Sequence, residues 1–393
     1  MTTVTNSDGL RIPFHQYTDI PRNLKHETYI IPSTSAPSWG GYFTFDFKEK
    51  STMIHNLRLQ FYVSAISGLT GSVSGYPNYN PSQMWFTRLE IVQNGNVIDT
   101  RYPIEQYLHT QWFNSDENRL KINTAAGLYS SNTARNALAT TASAYYIDLT
   151  SLFNLGHIPI LFQSSEVQLR IYMDTLANQV NVSTLTGTPI STISGSNLIA
   201  KITRLPQSEV QKLTTSMARS PHHYLFNELR YGTYTIQSGT SSTNIVLSSI
   251  VGPVSYLFFT VRPTASMTGT NQYAFTPITS FSILDSTSTN IVGGQDLPSA
   301  LCLYILNTDW TISSYSTEAA NNAYAYIYSF SSDPISTATN GSHYGTHMFM
   351  GNEQLKITFT STLSSPAQID VYASVQSILE ISPSYTKKVT IMN

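Results

Sequence analysis

The strongest constraint on this chain is that it contains one pattern twice. In 278–310, an alternating run sets Phe281 and Ile283 on one side and Ser280 and Ser282 on the other. A polar turn at 286–289 and a short return through Asn290, Ile291 and Val292 follow. In 86–112 the order is the same: Leu89 and Ile91 alternate against Arg88 and Glu90, Asn94 and Gly95 make a strong two-residue hairpin turn, and Val97 and Ile98 return. Both units then read into a helix. In the first, Pro103 opens it and Ile104, Tyr107, Leu108 and Trp112 form the apolar stripe. In the second, Asp296 caps, Pro298 sits in the first turn, and Leu297, Leu301, Tyr304 and Ile305 run ahead of Trp310.

The spacing supports duplication. Leu89 and Phe281, like Ile91 and Ile283, lie 192 positions apart (281 − 89, 283 − 91), and Trp112 and Trp310 lie 198 apart (310 − 112). Leu169 and Ile171 beside Arg170 match Leu355 and Ile357 beside Lys356 at 186 (355 − 169), as a longer loop in the first copy would produce. A period of about half the chain predicts two similar β domains in tandem and not a solenoid of short repeats.

The remaining segments fill in both copies. Strands are expected at 27–32, 41–47, 54–63, 145–149, 166–173 and 198–203, then at 224–236, 244–247, 251–263, 324–330, 354–359 and 368–381. Between them run polar loops of uneven length, 67–83, 114–143, 178–196, 264–272 and 311–322. After Pro206, Val210, Leu213 and Met217 have helical spacing. Uneven loops fit a jelly roll better than an up-and-down barrel. The expectation is an all-β fold of two tandem eight-stranded jelly rolls with short helices in the connections. Its parts are an N-terminal arm at 1–25, jelly rolls at 26–205 and 223–383, a connector at 206–222, and a C-terminal tail at 384–393 carrying Lys387 and Lys388.

Composition narrows the function. Charged residues make up 11% of the 393 positions, against about 25% in an ordinary soluble protein. Ser, Thr, Asn and 25 tyrosines fill the deficit. Such a surface suits contact with other copies, because desolvating hydroxyls and amides costs less than desolvating unpaired charge. A net charge of −2 supplies no general attraction to nucleic acid or anionic lipid. The single cysteine, Cys302, permits no intramolecular disulfide. Residues 1–10 lack the regions of a secretory signal, and no apolar run reaches the roughly 18 residues that span a bilayer. Synthesis and folding in a cytosol are expected.

Candidate chemistry is sparse. His343 and His347 have a spacing seen in metal sites, but no Cys or carboxylate cluster accompanies them. His222 and His223 in the connector read as capping or neighbour-contacting residues. Cys302 reads as a small buried hydrophobe without a local base. Asp285 and Asp296 read as turn and cap residues, and a general acid/base pair with Asp309 would need a second carboxylate that sequence does not place. No Walker-type loop or nucleophile elbow is present, and Gly293 and Gly294 read as positive-φ positions at a strand end. The sequons at Asn181 and Asn340 carry little weight without secretion. The tyrosines of 323–328 alternate as packing and contact residues, with a binding platform as the alternative. No catalytic, cofactor-binding or metal residue is assigned, no cofactor is expected, and the chain is not read as an enzyme.

The pattern resembles the double jelly-roll major capsid proteins of tailless icosahedral DNA viruses, including adenovirus, tailless phages, virophages and nucleocytoplasmic large DNA viruses. The residues that carry the resemblance are 88–99 with the Asn94 and Gly95 turn, the strand opening at Gly252, Pro253 and Val254 that runs to Phe259 and Arg262, and 281–294. The resemblance implies a viral structural protein whose two jelly rolls stand side by side and whose homotrimers form pseudo-hexagonal tiles of an icosahedral shell. Implied partners are neighbouring trimers, minor capsid or vertex proteins, and an internal membrane beneath the shell. The chain would be made in the host cytoplasm and reside in the virion capsid. The mild first arm lacks a basic cluster, which speaks against direct genome binding. Two other readings are a two-domain β-sandwich carbohydrate-binding or adhesin module, and a hydrolase on the same scaffold.

Overall fold

The structure is a computed structural model that describes residues 4–5, 11–12, 25–47, 52–70, 78–93, 95–128, 132–149, 167–181, 186–264, 275–292, 296–298, 325–332, 345–382 and 385–390. Alternating apolar residues set the first half. In β3 (Thr52–Val63), Leu57, Leu59 and Phe61 are wholly buried while Arg58 and Tyr62 point outward. Burying each such apolar side chain contributes about 1.5–3 kcal/mol. With β1 (Lys25–Pro32), β2 (Tyr42–Phe47), β4 (Phe86–Gln93), β5 (Asn96–Arg101), β6 (Ser143–Leu149), β7 (Val167–Met173) and β8 (Ile193–Arg204), it builds two facing antiparallel sheets ordered β6-β3-β8-β1 and β2-β7-β4-β5. Their inner faces close one core.

The second half repeats that order. Its strands are β9 (His222–Ile236), β10 (Ser242–Val246), β11 (Val251–Pro263), β12 (Ile278–Leu284), β13 (Leu297–Pro298), β14 (Ala325–Ser329), β15 (His347–Met350), β16 (Gln354–Phe359), β17 (Ala367–Ile381) and β18 (Thr386–Thr390). The sheets run β9-β17-β11-β14 and β10-β16-β12-β13, with β15 adding to β11 and β18 to β17. Strand for strand, these are the first half's neighbours.

Register confirms the duplication more sharply than order. Leu89 pairs with Ile171 and Ile91 with Leu169; their counterparts Phe281 and Ile283 pair with Ile357 and Leu355. All eight side chains are buried. Both halves also carry a bulge at the same place. The pairing of β3 with β8 skips His55, the pairing of β11 with β17 skips Ser255, and 200 residues separate the two (255 − 55). A bulge fixes which side chains face in, so this coincidence locks the two registers together.

Helices occupy the connections: α1 (Pro103–Trp112), α2 (Asp116–Ala125), α3 (Asn132–Ala139) and α4 (Gln207–Arg219). α4 follows Pro206 as its spacing predicts, and Val210 and Leu213 pack on the first core. Residues 222–226 of β9 and 377–381 of β17 pair with each other, and β18 covers 377–381 on the side opposite β9. Tyr224, Phe226, Leu379 and Ile381 from this ribbon are buried in the first core.

Several expectations need correction. The stretch 114–143, read as a loop, forms α2 and α3. Ser115 caps α2 by accepting from the Asn118 amide at 3.5 Å, and Lys121 pairs with Glu117 one turn away. The loops 67–83 and 178–196 pair with each other, Ser67–Thr70 against Thr186–Ile190, and β8 begins at Ile193. Backbone pairing needs no apolar pattern, so Ser- and Thr-rich composition hid it. In the second copy the helix expected from Asp296 is absent at its start. Leu297 and Pro298 form the edge strand β13 against Phe281 and Ser280, a place where a proline's missing donor does no harm. Asp296 accepts from Lys356 Nζ at 3.0 Å instead of capping. The return through Asn290–Val292 is a single bridge from Asn290 to Leu284, after which the Asn290 side chain accepts from the Val292 amide. Leu301, Tyr304, Ile305 and Trp310 lie outside the described residues.

Candidate assembly site: the seam between the sandwiches

The two sandwiches meet along α1 and β5. Tyr102 enters α1 with an extended backbone and Pro103 pre-sets its first turn. Ile104, Tyr107, Leu108 and Trp112 then fall on one helix face. That face is buried with Leu229, Tyr256, Phe258, Phe275, Ala325, Ile327 and Tyr372 of the second half. The rings form a ladder across the boundary. Trp112 meets Phe258 edge-on at 5.5 Å, Phe258 stacks on Tyr372 at 4.8 Å, Tyr372 lies 4.9 Å from Tyr231, and Tyr231 lies 4.4 Å from Tyr102. Such pairs contribute about 0.5–1.5 kcal/mol each beyond the area they bury.

Beside the rings lies a buried ionic cluster. On β5, Asp99 and Arg101 share the outward face and pair at 2.7 Å, and Arg101 also reaches Glu105 on α1 at 3.4 Å. Arg101 then crosses the seam, donating to the Asn227 carbonyl at 3.2 Å. From the other direction, Lys388 on β18 donates to Glu228 at 2.6 Å and to the Ile98 carbonyl at 3.3 Å. Ser377 and Arg230 also donate to Glu228. A second pair, Arg262 with Asp370, sits on β11 and β17, and Tyr231 donates to Asp370 at 2.8 Å.

Burial shifts these groups. It pushes the Glu105 carboxyl up to about 7 although Arg101 pulls the other way, and it raises Asp99 against the same opposition. Burial also works against the charge on Arg101, but Asp99 and Glu105 outweigh it and hold that group above its ordinary range. Burial, with the Glu105 charge adding to it, pushes the Tyr256 hydroxyl up to about 12. The cluster can hold two sandwiches in one registration; it presents no nucleophile with an adjacent base.

The residues weighed from sequence fall elsewhere. His222 is buried, with Nε2 3.0 Å from Ser216 Oγ, and burial lowers its pKa; His223 pairs with Glu380 at 3.3 Å. Asp285 is a turn residue, accepting from the Thr287 and Thr289 amides and the Thr287 hydroxyl. Those bonds hold its carboxyl below the usual range. The His347 ring stacks on Phe330 at 5.3 Å. Tyr326 is core, against Phe259 and Phe281, and Tyr328 is half-buried against Phe330. Asn181 lies in a short ribbon with Asn78. His343, Cys302, Asp309, Gly293, Gly294 and Asn340 lie outside the described residues. Among the described residues no group of three His, Cys, Asp or Glu gathers as a metal site would require, and no helix is long and apolar enough to cross a membrane.

Sequence reasoning missed Asp99, Arg101, Glu105 and Lys388. The available signal was local: three charges within seven residues of a chain that is 11% charged, two of them at alternate positions of one strand.

No protein-family model matches the sequence, and no curated protein matches it. Solved structures do match the fold. The Faustovirus major capsid protein superposes with a TM-score of 0.69 at 9% identity, covering 92% of this chain and 91% of its own. A quasi-atomic model of the PBCV-1 virus capsid gives 0.66 at 16%, covering 94% and 98%. The mavirus major capsid protein gives 0.54 at 11%, covering 100% and 96%. This chain therefore has the double jelly-roll fold that those capsid structures share, over nearly its whole length.

Proposed function

We propose that this chain is the major building block of an icosahedral viral shell, self-assembling as pseudo-hexagonal homotrimers. The observation that carries the reading is the shared strand order and shared bulge of the two halves. One chain supplies two like units, so three chains present six, and such tiles pack without gaps. The fold likeness to capsid proteins and the low charge support the same reading. We assign the units as 26–205 and 223–383 joined by 206–222, with the arm 1–25 and the tail 384–393 completing contacts around them. The role is structural and not enzymatic. Its partners are neighbouring trimers, minor capsid or vertex proteins, and an internal membrane under the shell. The chain is made in the host cytoplasm and resides in the virion capsid.

The test is sedimentation and light scattering across concentration, followed by electron microscopy. The expected result is a species of three chains of 43.6 kDa each that gives plates or closed particles on concentration. A chain that stays single at every concentration would overturn the proposal.

A further inference from the structure

The connector helix α4 is tied to the strand after it through one imidazole. Met217, in the last turn of α4, is buried in the first core together with Tyr224 and Ile381 of the ribbon. His222, the first residue of β9, is 8% exposed and joins them. It pairs with Ile381 across the ribbon, its Nε2 lies 3.0 Å from Ser216 Oγ on α4, and its Nδ1 lies 3.4 Å from the Tyr224 hydroxyl. A neutral imidazole has one donor and one acceptor nitrogen, so one of the two hydroxyls donates to it. An imidazolium donates from both nitrogens, and that hydroxyl has to turn its hydrogen away.

The charged groups around this joint do not reward the extra proton. His223 is next in the chain, and its charge opposes one on His222. Successive strand residues face opposite ways, so Glu380, which pairs with His223 across the ribbon, lies on the other face. There His223 is 3.3 Å away, the Tyr385 hydroxyl donates to Glu380, and Lys387 on β18 stands opposite. On α4, Lys212 and Arg219 are cationic and exposed. Beside the start of α4, Glu27 of β1 and Arg204 of β8 pair with each other at 2.8 Å. Burial, reinforced by His223, holds the His222 ring below its ordinary 6.5. An opened segment therefore binds this proton more readily than the seated one. The stability of the joint is complete above the ordinary value and is lost as pH falls from there through the folded one.

We propose that the end of α4 and the start of β9 form an acid-released joint: a proton on His222 breaks the bridge from Ser216 to Tyr224 and frees the last turn of α4 and the first residues of β9 from the first core. The seam responds in the opposite sense, because acid discharges the buried Glu105 carboxyl. Mild acid thus unfastens the backbone connection between the sandwiches while the seam still holds them side by side. The inference concerns a single chain and stands apart from the shell reading.

The test is amide hydrogen exchange of the full chain, read by mass spectrometry from about pH 7.5 to about pH 5 and corrected for the pH dependence of exchange itself. In wild type, protection over 214–226 should fall roughly tenfold across that range, while 103–112 in the seam keeps its protection. His222→Gln takes up no proton and can still bridge through its amide, so its protection over 214–226 should change by less than about twofold. An equal loss in His222→Gln, or none in wild type, would overturn the proposal. Should His222→Gln not fold, His223→Gln supplies the second readout, at a side chain that is 34% exposed. Removing the opposing charge should move the loss of protection to higher pH. A midpoint that stays in place or moves to lower pH would overturn the proposal as well.

Discussion

On the α1 side of the seam the sandwiches meet through rings; on the β5 side they meet through charges. Rings bury area without demanding one geometry, at about 25 cal/mol per Å². Charges do the reverse: Asp99, Arg101, Glu105 and Glu228 give up water, and only one registration of the sandwiches lets Arg101 reach the Asn227 carbonyl and Lys388 the Ile98 carbonyl across the seam. The difference teaches that strength and alignment come from separate patches. The ring ladder makes the two sandwiches adhere, and the ionic cluster decides where they stop sliding.

That division is open to test by substitution. Trp112→Ala should lose the most, about 3–5 kcal/mol in urea denaturation, because a buried ring leaves a cavity between α1 and Phe258. A loss below about 1 kcal/mol would mean that rings do not carry adhesion. Arg101→Ala should cost about 3–4 kcal/mol, since it strands two buried carboxylates. Arg101→Ala should also broaden the inter-sandwich distance distribution seen by paired spin labels, which Trp112→Ala should change less.

Acidity offers a third probe. Glu105 titrates near 7 when folded and near 4.5 when not. Between those values the folded chain holds a proton that the unfolded chain has released, so stability falls as pH rises through that window. The raised Asp99 acts in the same direction. Glu105→Gln should flatten the dependence of the denaturation midpoint between pH 5 and 8, removing about 1–3 kcal/mol of variation. An unchanged slope would take Glu105 out of the account. Smaller still, Lys388→Met should cost about 1–2 kcal/mol, because Arg230 and Ser377 still serve Glu228. The weakest effect is expected outside the seam. Arg88→Ala breaks a half-exposed pair with Glu90 and should cost about 0–1 kcal/mol by thermal melting.

The halves were legible in the sequence wherever one face of a strand is buried. Leu89, Ile91, Phe281 and Ile283 alternate because one side meets the opposite sheet, while their partners Ile171, Leu169, Ile357 and Leu355 on the neighbouring strands carry no mark of the pairing. The first hairpin was legible for a chemical reason: Gly95 takes φ +77, which its lack of a Cβ permits. The start of the second copy's helix was misread because Leu297 and Pro298 suit an edge strand as well as a first turn, and two residues carry no period. The seam was almost silent. β11 is buried on both faces, so Phe258 breaks no alternation that would flag a partner. Cross-seam bonds such as Arg101 to the Asn227 carbonyl join residues 126 apart, with no local pattern to mark them.

The ribbon of β9 and β17 that reaches into the first core has a consequence for biosynthesis. Tyr224, Phe226, Leu379 and Ile381 are walls of the N-terminal sandwich, although the ribosome reaches Leu379 175 residues (379 − 204) after the end of β8. Domains usually fold as they emerge, but here the earliest half waits, one wall short, until residues 377–381 have been made. A chain stopped before residue 377 would leave that half as well as the later one exposed to aggregation, so the two halves complete their folding together.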